Sequence, residues 1–104
     1  MPSENSLASY HSLKDKRVFV TGGASGIGES IVTEFAAQGA KVAFVDIAAE
    51  AGLDLCERLA KEGYEKPIFR HCDIRDIPAL QADMRALAQQ IGEFDVLVNN
   101  AGND

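Results

Sequence analysis

A chain of 104 residues has room for one small domain, and 46% apolar with 25% charged residues is the composition of a globular protein rather than a disordered one. The formal charge of −6 argues against a nucleic-acid backbone as partner, because that needs clustered Lys and Arg. The opening MPSENSLASYHSLKDKR is polar with no apolar signal region, and no run approaches membrane-spanning length, so a soluble, cytoplasmic protein without a membrane partner is expected.

Residues 1–16 read as a polar lead-in and residues 17–104 as the folded unit. RVFVT (Arg17 to Thr21) is a short apolar run that ends in a glycine-rich turn, the pattern of a buried strand. GIGESIVTEFAAQG then spaces Ile27, Ile31 and Phe35 four apart, with Val32 and Ala36 beside them, which predicts a helix closed by Gly39. KVAFVD (Lys41 to Asp46) is the second strand. Ala48 to Glu62 is a second helix with Leu55 and Leu59 on one face, and it stops at Gly63. KPIFRHCD is the third strand, with Pro67 at its start, where a missing N–H is tolerable. Leu80, Met84, Leu87 and Ile91 form the clearest helical stripe, ended by Gly92, and FDVLVN is the fourth strand, apolar and expected to be buried. Three strand–helix units and a final strand predict an α/β fold: a doubly wound parallel sheet with helices on both faces. Cys56 and Cys72 fit no metal or redox spacing and read as reduced, partly buried side chains.

TGGASGIG lies between the first strand and the first helix. Gly22, Gly26 and Gly28 there permit positive φ and close approach of a ligand to the backbone. The N–H groups of Ser25, Gly26 and Ile27, with the helix dipole, suit a diphosphate. A tight turn without a ligand is the competing reading. A nucleoside-triphosphate loop is another, since GASGIGES (Gly23 to Ser30) matches GxxxxGK[ST] except that Glu29 replaces Lys. A carboxylate there repels the phosphates that the lysine would attract, and that reading fails. Asp46 ends the second strand 24 residues after Gly22, where an acid can reach both hydroxyls of an adenosine ribose. Alone it would pass for a helix cap. Ile47 follows it, so no cation is at hand for a 2′-phosphate, and NAD is expected rather than NADP.

TGGASGIG, the strand-ending Asp46, CDI (Cys72 to Ile74) and NNAG (Asn99 to Gly102) together resemble the short-chain dehydrogenase/reductases, in order and spacing, from about Leu13 to Asp104. The resemblance implies a Rossmann-type sheet with strand order 3-2-1-4. It implies that Asp73 accepts from the adenine amino group with the Ile74 backbone nearby, and that Asn99 lines the cofactor site. Ala101 and Gly102 would let the nicotinamide side pass close to the chain. It also implies a homo-oligomer, dimer or tetramer, and a small-molecule alcohol or carbonyl substrate. SLKDKRV, the CD step and NNAGND look similar to NAD-dependent sugar 1-dehydrogenases of the xylose type, which oxidise an aldose to a lactone.

In that family the catalytic Asn, Ser and Tyr-x-x-x-Lys follow the fourth strand. The expectation is therefore a cofactor-binding half that stops before the catalytic half, with no catalytic residue in this chain. Tyr10 and Lys14 have YxxxK spacing but precede the first strand, the wrong side for catalysis. A stand-alone, non-catalytic nucleotide-binding module is the alternative, and a methyltransferase with a similar turn is a third reading that NNAG disfavours.

Overall fold

The computed structural model describes residues 13–24 and 26–100, so Tyr10 of the YxxxK pair lies outside the described residues. In chain order these form β1 (Arg17–Thr21), α1 (Gly26–Ala37), β2 (Lys41–Asp46), α2 (Ala49–Lys61), β3 (Ile68–His71), α3 (Ile77–Ile91) and β4 (Val96–Asn99). All strand pairs are parallel and the sheet order is β3-β2-β1-β4. This is the doubly wound sheet, order 3-2-1-4, that the sequence led us to expect.

Alternation along the two central strands builds two cores. Val18, Val20, Val42 and Phe44 face α1 and α2, packing with Val32, Ala36, Leu55 and Leu59. Phe19, Ala43 and Val45 face the opposite way, onto Leu87 of α3, with Leu80, Met84 and Ile91 packed around them. A strand covered on both sides needs no polar face, which is why β1 and β2 read as continuous apolar runs. A tilted ring pair adds to each core, Phe44 of β2 with Phe69 of β3 at 5.1 Å and Phe19 of β1 with Phe94 just before β4 at 5.2 Å between centroids. Asp76 caps α3 by accepting from the Ala79 N–H at 3.1 Å, and Pro78 occupies its first turn.

Three expectations need correction. The buried face of α1 is Gly28, Val32 and Ala36, while Ile27 is 73% exposed and Ile31 and Phe35 are only partly buried. Small residues let this helix approach the sheet, and that proximity outweighs the greater hydrophobicity of the neighbouring stripe. β3 covers only Ile68–His71, because Pro67 has no N–H to start the ladder and Asp73 folds into a turn with Arg75. β4 alternates between half-buried and exposed, with Leu97 60% exposed. Gly52 also carries a function in packing that the sequence did not announce: a Cβ there would enter the ring of Phe69, so glycine lets α2 close onto β3.

Candidate functional site

Parallel pairing brings the C-terminal ends of all four strands to one edge of the sheet. The chain works outward from β1 to β2 to β3 and then returns to place β4 on the other side of β1. A crevice opens at such a reversal, between the loops leaving β1 and β4. The turn after β1 is pinned there, with the Gly22 and Gly23 N–H groups donating to the Val45 carbonyl at 2.8 and 3.3 Å.

The glycines of this turn have separate reasons. Gly22 and Gly26 have φ of 70° and 59°, a region that other L-residues seldom enter. A Cβ on Gly26 would meet nothing within 4 Å, so its backbone conformation alone calls for glycine. Gly28 is the reverse case. A Cβ there would land on the Gly22 carbonyl oxygen and lie 2.8 Å from the Asn100 amide nitrogen. Gly23 is also closed, since its Cβ would lie 2.8 Å from both Phe44 and Val32. Because α1 begins at Gly26, the amides of Gly26, Ile27 and Gly28 lie in its first turn, where the helix offers them no acceptor. Ser25, the other predicted amide donor, lies outside the described residues, as do Ala101 and Gly102.

Asp46 closes β2 beside the turn. Its Oδ2 accepts from the Ala24 N–H at 3.0 Å and its Oδ1 from the Ala48 N–H at 2.8 Å. Ile47, next in the chain, is 58% exposed. At the end of β3, Asp73 is engaged by Arg75: Oδ1 accepts from the Arg75 N–H and Nε, each at 3.0 Å, and Oδ2 from Nη2 at 2.9 Å. The guanidinium hydrogen bonds hold the Asp73 carboxyl down to about 2, so it stays ionised at any ordinary pH. Ile74 packs half-buried against the α3-side core.

The end of β4 is fastened to the turn. The Thr21 hydroxyl donates to Asn99 Oδ1 and accepts from the Asn100 N–H, both at 3.0 Å, and Asn100 Nδ2 donates to the Gly22 carbonyl at 3.1 Å. Asn99, Asp46 and Gly22 thus come together at one strand edge. Sequence reasoning missed Thr21 and Arg75, and marked Asn100 only as part of NNAG; a threonine closing an apolar strand was the available signal for the first. Replacing Thr21 by valine keeps the shape and removes this hydroxyl from a buried position. We expect Thr21→Val to lower stability by about 1–3 kcal/mol in urea denaturation of the full-length protein, and an unchanged midpoint would refute the role.

Residues 16–104 match the short chain dehydrogenase family. The chain belongs to that family. Its members bind a nicotinamide dinucleotide, NAD or NADP. The chain is 48% identical over 99 residues to a D-xylose 1-dehydrogenase of Caulobacter vibrioides, covering 95% of this chain and 38% of the relative. It is 47% identical over 95 residues to a probable galactose dehydrogenase of Rhizobium meliloti, covering 91% and 37%. A solved short-chain dehydrogenase/reductase of Serratia marcescens superposes with a TM-score of 0.83 at 38% identity, over 90% of this chain and 38% of that one. The chain therefore spans under two-fifths of the length of these relatives. Among the described residues, no helix is long and apolar enough to cross a membrane.

Proposed function

We propose that this short-chain dehydrogenase chain is the dinucleotide-binding part, residues 17–104, of an NAD-dependent oxidoreductase acting on a CH–OH group, with an aldose oxidised at its anomeric carbon as substrate. Asp46 carries the reading. An ionised carboxylate has about four acceptor positions, and two go to the Ala24 and Ala48 amides. Two remain, one on each oxygen, which is what two vicinal ribose hydroxyls can use. A 2′-phosphate about 4 Å away would instead be repelled by ~4 kcal/mol at an effective dielectric of ~20. Ile47 offers no cation, and the exposed Arg75 has its guanidinium engaged by Asp73.

The other assignments follow the same crevice. Gly22, Ser25, Gly26, Ile27 and Gly28 cradle the diphosphate, and the open space at Gly26 supports that placement. Asp73 and Ile74 meet the adenine. Asn99, Ala101 and Gly102 border the nicotinamide side, where the bound cofactor supplies hydride acceptance or donation. We assign no catalytic residue to this chain. Two buried, unpaired thiols, Cys56 and Cys72, both with pKa raised to about 11 by burial, suit a reducing, cytoplasmic setting. A homo-oligomer completes the reading.

Titration of full-length protein with each cofactor tests it: NAD should bind at least tenfold more tightly than NADP, and the reverse order would overturn the assignment of Asp46. With NAD in place, xylose and galactose should be oxidised to lactones. Turnover of non-sugar alcohols alone would move the substrate, and cofactor binding without turnover of any alcohol would favour a non-catalytic module.

A further inference from the structure

A carboxylate at a strand end commonly accepts from the amide two residues ahead, and that local turn accounts for the bond from Ala48 to Asp46 Oδ1. It does not account for Oδ2. That oxygen accepts from Ala24, a residue 22 positions earlier, in the loop that leads from β1 into α1. Ala24 is 4% exposed, so water is poorly placed to replace the carboxylate. Earlier in the loop, Gly22 and Gly23 hang from the Val45 carbonyl, and the Gly22 carbonyl accepts from Asn100. Ala24 stands between those anchors and the first residue of α1.

We propose that Asp46 is a positioning residue for the glycine turn, so that recognition of the adenosine ribose and of the diphosphate depends on one shared carboxylate. The proposal rests on the dinucleotide reading of this crevice and adds a second role to the same side chain. Without Oδ2, the Ala24 N–H loses its acceptor in a buried place, and the segment that sets the first amides of α1 is free to shift. The diphosphate would then meet amides that are no longer aimed together. The latch and the ribose do not compete, because each oxygen keeps an acceptor position after serving its backbone amide.

The decisive ligand is an NAD analogue whose adenosine ribose lacks both hydroxyls. If Asp46 serves the ribose only, wild-type protein and Asp46→Ala bind this analogue equally, and the proposal is overturned. If Asp46 also holds the turn, the variant binds the analogue about tenfold more weakly, the weight of one hydrogen bond to a charged group. Should Asp46→Ala fail to fold, Asp46→Asn replaces it. Its carbonyl oxygen keeps the local bond to Ala48 while its NH2 faces the Ala24 amide, and the same tenfold loss is expected. In the ligand-free full-length protein, amide exchange at Ala24 should quicken about tenfold in either variant, and unchanged exchange also overturns the latch. Wild-type protein that binds NAD and the analogue equally well would fail the ribose reading instead. An equal loss on both ligands in the variant would then still support the latch.

Discussion

Replacing Gly28 with valine should abolish NAD binding and lower stability by more than about 3 kcal/mol, whereas Gly26→Ala should weaken binding with a stability loss of only about 1–2 kcal/mol. The difference comes from what each side chain would meet. At Gly28 the first added carbon already falls on the Gly22 carbonyl oxygen, with Asn100 Nδ2 at 2.8 Å. A backbone oxygen cannot rotate aside, and Gly22 is held in turn by its N–H to Val45 at 2.8 Å. The helix must therefore retreat from the turn, drawing the amides of its first turn away from the diphosphate and opening the packing of Val32 and Ala36 behind them. At Gly26 a Cβ meets nothing, and only the φ of 59° resists the substitution. Urea denaturation and NAD titration of both full-length variants check the pair. Gly28→Val with wild-type stability and affinity would mean that α1 does not lie this close to the turn.

That contrast also shows where the sequence was informative. β1 and β2 were readable because strands covered on both faces must be apolar throughout, and turn residues bounded them. The stripe of α3 was readable because its large side chains are the ones that pack. α1 was readable in part: Val32 and Ala36, foreseen beside the stripe, lie in the core with Ile31 and Phe35 packed against it, but Ile27 is exposed, and Gly28, which a scale of hydrophobicity passes over, joins the contact face instead. Strand order is written in no single strand; it came with the resemblance of four spaced motifs to a family. At the site, Asp46 stood out as an acid at the end of an apolar run. Its bond to Ala24 could not be foreseen, since it depends on how the β1–α1 and β2–α2 loops meet in space. Asp73 is the local counterpart, engaged by an arginine two residues along, and that pairing lay within reach of the sequence.

The 104-residue chain produced alone should self-associate through β4. Among the described residues β4 pairs with β1 only, from Val18 opposite Val96 to Thr21 opposite Asn99. Its other edge offers N–H and C=O groups, and no charge or proline within Val96–Val98 guards it. Leu97 is 60% exposed on that strand, and beside it runs a groove of about 480 Å³ lined in part by Met84, Ala88, Phe94 and Leu97. Covering ~100 Å² of such apolar surface is worth about 2–3 kcal/mol, a sizeable share of the ~5–15 kcal/mol that holds a whole domain folded. Edge pairing between two copies would satisfy the backbone and bury part of the groove in one step. Sedimentation velocity over a range of concentrations should therefore show dimers or larger species. Leu97→Lys should shift them toward monomer, because a lysine on an edge strand is poorly tolerated in a pairing interface. An unaltered 104-residue chain that stays monomeric at all concentrations and melts cooperatively would show that β4 needs no further partner.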